Sequence, residues 1–146
     1  MAEREHTHQP LQAEDIMTRN PVVVDSTATV QDAADAMFAA EVRHVPVVEK
    51  GELIGMVSDR DLRSYVLPRS EQIIRADDAR ARLSANVRMV MRTEVITVTT
   101  DTPVAGIVDI LLREKIGAVP VLKTASRELL GMVSYMDVLR VARAFF

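Results

Sequence analysis

Two serines are each followed three residues later by an aspartate at the start of an apolar helical pattern: Ser58-Asp59-Arg60-Asp61-Leu62 and Ser134-Tyr135-Met136-Asp137-Val138. In such a capping box the hydroxyl accepts from an amide of the first turn, and the carboxylate reaches back to the serine amide. A helix start with free amides is also where anions settle. The chemistry on offer is therefore capping alone, or capping together with capture of an anion. Arg60, inside the first corner, either faces a phosphate or lies on the helix surface.

Catalysis is poorly provided for. Ser58 and Ser134 have no base, because His6 and His8 fall in a polar N-terminal tail and only His44 lies elsewhere. The chain has no cysteine, so it has no thiol nucleophile and no zinc ribbon. His44 has no second His, Cys or paired carboxylate beside it to make a metal site. No glycine-rich phosphate loop exists, and Gly55 and Gly131 mark close backbone approach instead. A net charge of -3 and 3% aromatic residues argue against nucleic-acid binding. No apolar run reaches the length of a membrane span and no secretory h-region follows Met1, so a soluble, cytoplasmic protein is expected.

The elements that must position the two corners repeat. Each corner ends a short buried strand, Leu53-Ile54-Gly55-Met56-Val57 in the first copy and Gly131-Met132-Val133 in the second. Met17 matches Met91, 74 residues on, and at the same offset Val30 falls on Val104 and Val45-Pro46-Val47-Val48 on Val119-Pro120-Val121-Leu122. The offset becomes 76 at Gly55 and Gly131, because the second hairpin loop is two residues longer. This is an internal duplication.

Each half reads β-α-β-β-α. Val22-Val23-Val24 is a β-branched run, matched by Ile96-Thr97-Val98. Thr27 to Glu41 has helical spacing, with Val30, Ala33, Ala34, Met37 and Phe38 on one face. Its counterpart starts at Thr102-Pro103, an N-cap residue followed by proline at the first helical position. Strands follow at Val45 to Val48 and Leu53 to Val57, then a helix from Asp59 to Val66 stopped by Pro68. Met17, Met37, Met56 and Met132 are expected in the core. The fold expected is α/β, with a tail over residues 1–12, one repeat over 13–67, a charged helical linker over 68–85 and a second repeat over 86–146. Arg69 to Leu83 alternates charge around Ile73 and Ile74 and reads as an exposed helix.

Asp15-Ile16-Met17-Thr18, Arg43-His44-Val45-Pro46-Val47-Val48 and Gly55-Met56-Val57-Ser58-Asp59-Arg60-Asp61-Leu62 together resemble a cystathionine-β-synthase (CBS) motif. Val90-Met91, Gly117-Ala118-Val119-Pro120-Val121 and Gly131 to Asp137 resemble a second. Two in tandem resemble the CBS pair, or Bateman module, whose repeats are related by a pseudo-two-fold axis and pack through their small sheets. The resemblance implies regulatory binding of adenosine-containing ligands (AMP, ADP, ATP, S-adenosylmethionine or NAD) in two clefts, with no obligatory cofactor. It places the aspartates on ribose hydroxyls and the serines toward phosphate. One cleft would use Ser134 and Asp137 with Val22, Val23 and Val42. The other would use Ser58 and Asp61 with Ile96, Thr97 and Ile116, and Gly117 would join the adenine pocket. Arg43, at a position where the family often binds phosphate, would act with His44. Gly117 and Ala118 replace that pair in the second repeat, so the clefts cannot be equivalent.

The alanine-rich helix of repeat 1 and the broadly apolar helix Val104 to Ile116 further suggest a homodimer packed through them. An occupied module would signal to an unidentified effector protein, and a ligand-free scaffold acting by protein–protein contact is the alternative.

Overall fold

Val45, Val47 and Val57 are fully buried, and so are Val119, Val121 and Val133 at the matching places in the second half. Around each trio the chain builds one small sheet. The computed structural model describes residues 9–67 and 75–146. In order these residues form α1 (Ala13–Ile16), β1 (Thr18–Arg19), β2 (Val24–Asp25), α2 (Val30–Ala40), β3 (His44–Glu49), β4 (Glu52–Ser58), α3 (Asp59–Val66), α4 (Ala76–Leu83), β5 (Val98–Thr99), α5 (Val104–Glu114), β6 (Ala118–Leu122), β7 (Leu129–Ser134) and α6 (Tyr135–Ala142). A 3-10 turn at Val87–Met89 occupies the place in repeat 2 that α1 holds in repeat 1.

The β-α-β-β-α order is therefore present twice. One sheet runs β2-β3-β4 and the other β1-β7-β6-β5. In each, a parallel pair carries the helix crossover and an antiparallel hairpin follows, with a register shift at Val47/Val48 and again at Val121/Leu122. Two separate cores result. One gathers Val24, Val30, Ala33, Met37, Leu62 and Val87 around the first sheet, and the other gathers Ala13, Val98, Ile107 and Leu111 around the second.

The halves exchange their leading segments. β1 lies at the start of repeat 1 but pairs antiparallel with β7 of repeat 2, Thr18 opposite Met132. Reciprocally, Arg92 lies at the start of repeat 2 and bridges to Met56 of β4, with N–H···O bonds of 2.9 Å in both directions. A second symmetric pair joins the hairpins, Leu53 N–H donating to the Arg127 carbonyl and Leu129 N–H to the Gly51 carbonyl. Close approach at the glycines makes the exchange feasible. A Cβ on Gly55 would stand 2.6 Å from Met91 Sδ, and one on Gly131 2.7 Å from Met17 Sδ.

Several elements depart from their sequence-based limits. α2 begins at Val30 because Thr29, not a residue near Thr27, caps it in a box with Asp32. Thr27 instead donates to the Asp25 carboxylate, which is held below its ordinary pKa chiefly by the Thr27 amide and then by its hydroxyl. α5 begins at Val104, which puts Pro103 in the N-cap place, and the Thr102 hydroxyl accepts from the Thr99 amide. The short strands slip towards Val24–Asp25 and Val98–Thr99, since only those residues pair with the hairpins. Phe38 is 88% exposed, because the packed stripe of α2 runs through Val30, Ala33 and Met37. Met37 and Met132 are buried, while Met17 and Met56 are half-buried.

The tail histidines, together with Pro68, Arg69, Ile73 and Ile74, lie outside the described residues. The described part of the linker is helical at Ala76–Leu83 with no buried residue. It is nonetheless docked: Arg82 donates to the Tyr65 carbonyl at 2.8 Å and lies over the Tyr65 ring, and Leu83 packs against the first core.

Candidate functional site

Both Ser-x-x-Asp corners form complete capping boxes. The Ser58 hydroxyl accepts from the Asp61 amide at 3.1 Å, and Asp61 Oδ2 accepts from the Ser58 amide at 3.1 Å. Ser134 and Asp137 repeat this at 3.3 and 2.8 Å. In each corner one carboxylate oxygen thus serves the helix and Oδ1 is left for another partner. At Asp61 that partner is Arg92, whose Nε and Nη2 both stand 3.1 Å away. At Asp137 the partners are the Thr18 hydroxyl at 3.3 Å and Arg140 at 3.0 Å.

Thr18 and Arg92 occupy the same place in the two repeats, and each comes from the segment that has crossed over. The exchange of strands is what brings each to the other half's aspartate.

A cavity of about 1390 Å³ opens beside the first corner. Ser58, Asp61, Arg43, His44 and Arg60 of repeat 1 line it together with Ile96, Ile116 and Gly117 of repeat 2. The β3–β4 register sets this up, because His44 pairs with Ser58 and the Asp59 amide donates to the Arg43 carbonyl. Gly117 has room for the His44 ring, since a Cβ there would stand 3.2 Å from His44 Cε1. Burial of the half-buried His44 pushes its pKa below the ordinary value; Arg43 adds to this, and Asp61 and Asp59 oppose it.

Thr97 is half-buried and is not among the lining residues, while its neighbours Val95 and Ile96 are. Met56, expected in the core, lines the cavity as well. On the other side of the pseudo-dyad, Val22, Val23 and Val42 are exposed and Asp137 is buried.

Sequence reasoning missed Arg92, Lys115 and Glu94 on the cavity wall. The 74-residue offset did place Arg92 opposite Thr18, but nothing in one dimension said that these residues cross to the other repeat. Lys115 caps α5 in the left-handed conformation at φ 53°. Among the described residues no group of three or more His, Cys, Asp or Glu could hold a metal, and no helix is long and apolar enough to cross a membrane.

Comparison with known proteins agrees with this architecture. The family model "CBS domain" matches residues 13–68 and 87–144. A homoserine O-acetyltransferase from Methanocorpusculum labreanum is 29% identical over 126 residues, 86% of this chain but 23% of that protein. The chain thus spans about a quarter of that relative's length. Among solved structures, AcuB of Vibrio cholerae superposes with a TM-score of 0.78 at 28% identity, covering 94% of this chain and 93% of that one. The CBS domain pair of protein MJ0100, crystallised with 5′-methylthioadenosine and S-adenosyl-L-methionine, shares the fold with a TM-score of 0.75 at 22% identity, covering 94% and 100%. With two matched segments that coincide with two strand-exchanged β-α-β-β-α units, this chain belongs to the CBS-domain family, as a tandem pair.

Proposed function

We propose that the pair is a regulatory module that holds an adenosine-containing ligand (AMP, ADP, ATP, S-adenosylmethionine or NAD) between its repeats and passes occupancy to an effector protein. The observation that carries this reading is the cavity in which Ser58 and Asp61 of one repeat face Ile96, Ile116 and Gly117 of the other. An acceptor-only carboxylate suits two vicinal ribose hydroxyls. Arg43, His44 and Arg60 offer donors to phosphate, and Ile96 and Ile116 offer apolar surface to a base. The adenosyl ligands of the MJ0100 pair support the same class. Ser134 and Asp137, with Val22, Val23 and Val42, would form the second and weaker site. The role is regulatory and not catalytic, and the acetyltransferase name belongs to a relative about four times as long. The proposed setting is the cytoplasm.

Thermal melts with AMP, ADP, ATP, NAD and S-adenosylmethionine test the reading. A ligand at a hundred times its dissociation constant adds about 2.7 kcal/mol of stability. Absence of a shift with every compound would leave the scaffold reading. That alternative draws on one observation, the exposure of Phe38 and Leu112 at equivalent places on α2 and α5. Both readings include a homodimer through this face.

A further inference from the structure

The cavity wall carries more charge than a nucleoside needs. Five arginine or lysine side chains and four carboxylates line it. Arg63 is held by Asp59 at 2.9 Å, Arg92 by Asp61, and Glu114 by Arg113 outside the cavity. Among the described residues Arg43, Arg60 and Lys115 make no ion pair, so three cations face Glu94 alone.

Arg92 is placed differently from these three. Its two donors engage Oδ1 of Asp61, the oxygen left over from capping, yet its own side chain is 69% exposed and has room to swing. A ribose reaching Asp61 competes for that oxygen. The guanidinium it releases stays in the same cavity and becomes a fourth cation without a carboxylate. Fork-shaped guanidinium groups match phosphate oxygens in pairs.

The geometry points to Arg92 as the specificity-determining residue of the Ser58/Asp61 cleft. It neutralises Asp61 in the empty site and transfers to the ligand's phosphates when ribose takes the carboxylate, so this cleft selects phosphorylated adenosine compounds over the cationic sulfonium of S-adenosylmethionine. The inference rests on the binding function proposed above and goes further, because it names the ligand class and the residue that sets it. At Asp137 the equivalent residue is Thr18, which has no charge to transfer, and the cation on that carboxylate, Arg140, comes from the aspartate's own helix and not from the exchanged segment.

His44 lines this cleft, and the other two histidines lie in the N-terminal tail, so its ring signals in NMR titrations report this site. Adenosine, ADP and S-adenosylmethionine are titrated into the wild type, Arg92→Thr (which copies Thr18) and Arg92→Lys. The wild type is expected to prefer ADP to adenosine and to S-adenosylmethionine by at least tenfold. Arg92→Thr should shrink the ADP-to-adenosine preference at least tenfold, and Arg92→Lys should restore part of it. A preference that Arg92→Thr leaves within threefold of wild type overturns the inference, as does parallel weakening of ADP and adenosine. If none of the three compounds moves the His44 signals of the wild type, adenosine binding in the Ser58/Asp61 cleft itself falls. If they bind without regard to phosphate, only the role of Arg92 falls.

Discussion

Gly131 and Met17 meet so closely that a Cβ on the glycine would stand 2.7 Å from Met17 Sδ and 2.8 Å from the Thr18 carbonyl oxygen. The second contact is backbone of the exchanged strand and cannot rotate away. Gly131→Ala is expected to destabilise by about 1–3 kcal/mol, in the range of overpacking. Gly55→Ala should cost less, because the nearest backbone atom there, the Arg92 carbonyl oxygen, is 3.1 Å away. Urea denaturation of both variants checks the order, and equal costs would contradict it.

The two capping aspartates should separate stability from binding. Asp137 has a side chain 6% exposed and takes hydrogen bonds from the Ser134 amide and hydroxyl, Thr18 and Arg140. Its loss removes these bonds from a buried carboxylate and leaves the half-buried Ser134 amide without its partner, so Asp137→Ala should cost about 1–3 kcal/mol. Asp61→Ala should cost about 1 kcal/mol, the usual value of a lost cap, because exposed Arg92 returns to water. Chemical denaturation reads both. If Asp61→Ala proved the more destabilising, the unequal burial of the corners would not matter as argued.

His44 gives a pH dependence with a definite sign. Its folded pKa lies below the ordinary 6.5, first because burial disfavours the imidazolium, then because Arg43 repels it, against the pull of Asp61 and Asp59. Between the two values the unfolded chain binds the extra proton, so stability rises with pH across that window. The contribution is whole above about 6.5, is lost as pH falls below it, and stops changing under the folded pKa. Denaturation at pH 7 and pH 5.5 should therefore show a loss for the wild type that His44→Asn reduces. The same loss in both proteins would assign it to other groups.

Phe38 and Leu112 are 88% and 72% exposed at equivalent places on α2 and α5, beside the buried stripes that hold each helix to its own sheet. If these faces pair in a homodimer, Phe38→Glu with Leu112→Glu should convert dimer to monomer with little change in far-ultraviolet dichroism. Sedimentation velocity at micromolar concentration decides. A wild type that sediments as a monomer refutes the pairing.

Element type was legible wherever local signals agreed. Asp59–Val66 came out at its observed limits because a capping box opens it. The glycines were rightly read as points of close approach, since a small residue inside a buried strand has few other uses. Limits failed where neighbouring residues compete for one role. Thr27 and Thr29 are both credible caps, and only the Asp32 carboxylate, returning to the Thr29 amide at 2.9 Å, selects the second. Phe38 was misplaced because a helical stripe can be drawn through it, yet the core closes on Val30, Ala33 and Met37.

The duplication, the β-α-β-β-α unit and the two serine–aspartate corners are written in the chain, because periodicity, capping and turn chemistry act over a few residues. That Thr18 and Arg92 cross to the opposite repeat and arrive at Asp137 and Asp61 emerges from the folded molecule alone. A strand of two residues carries no mark of the edge it will join. That choice is made by the neighbouring backbone and by the space two glycines leave open, and it gives one corner a hydroxyl and the other a guanidinium.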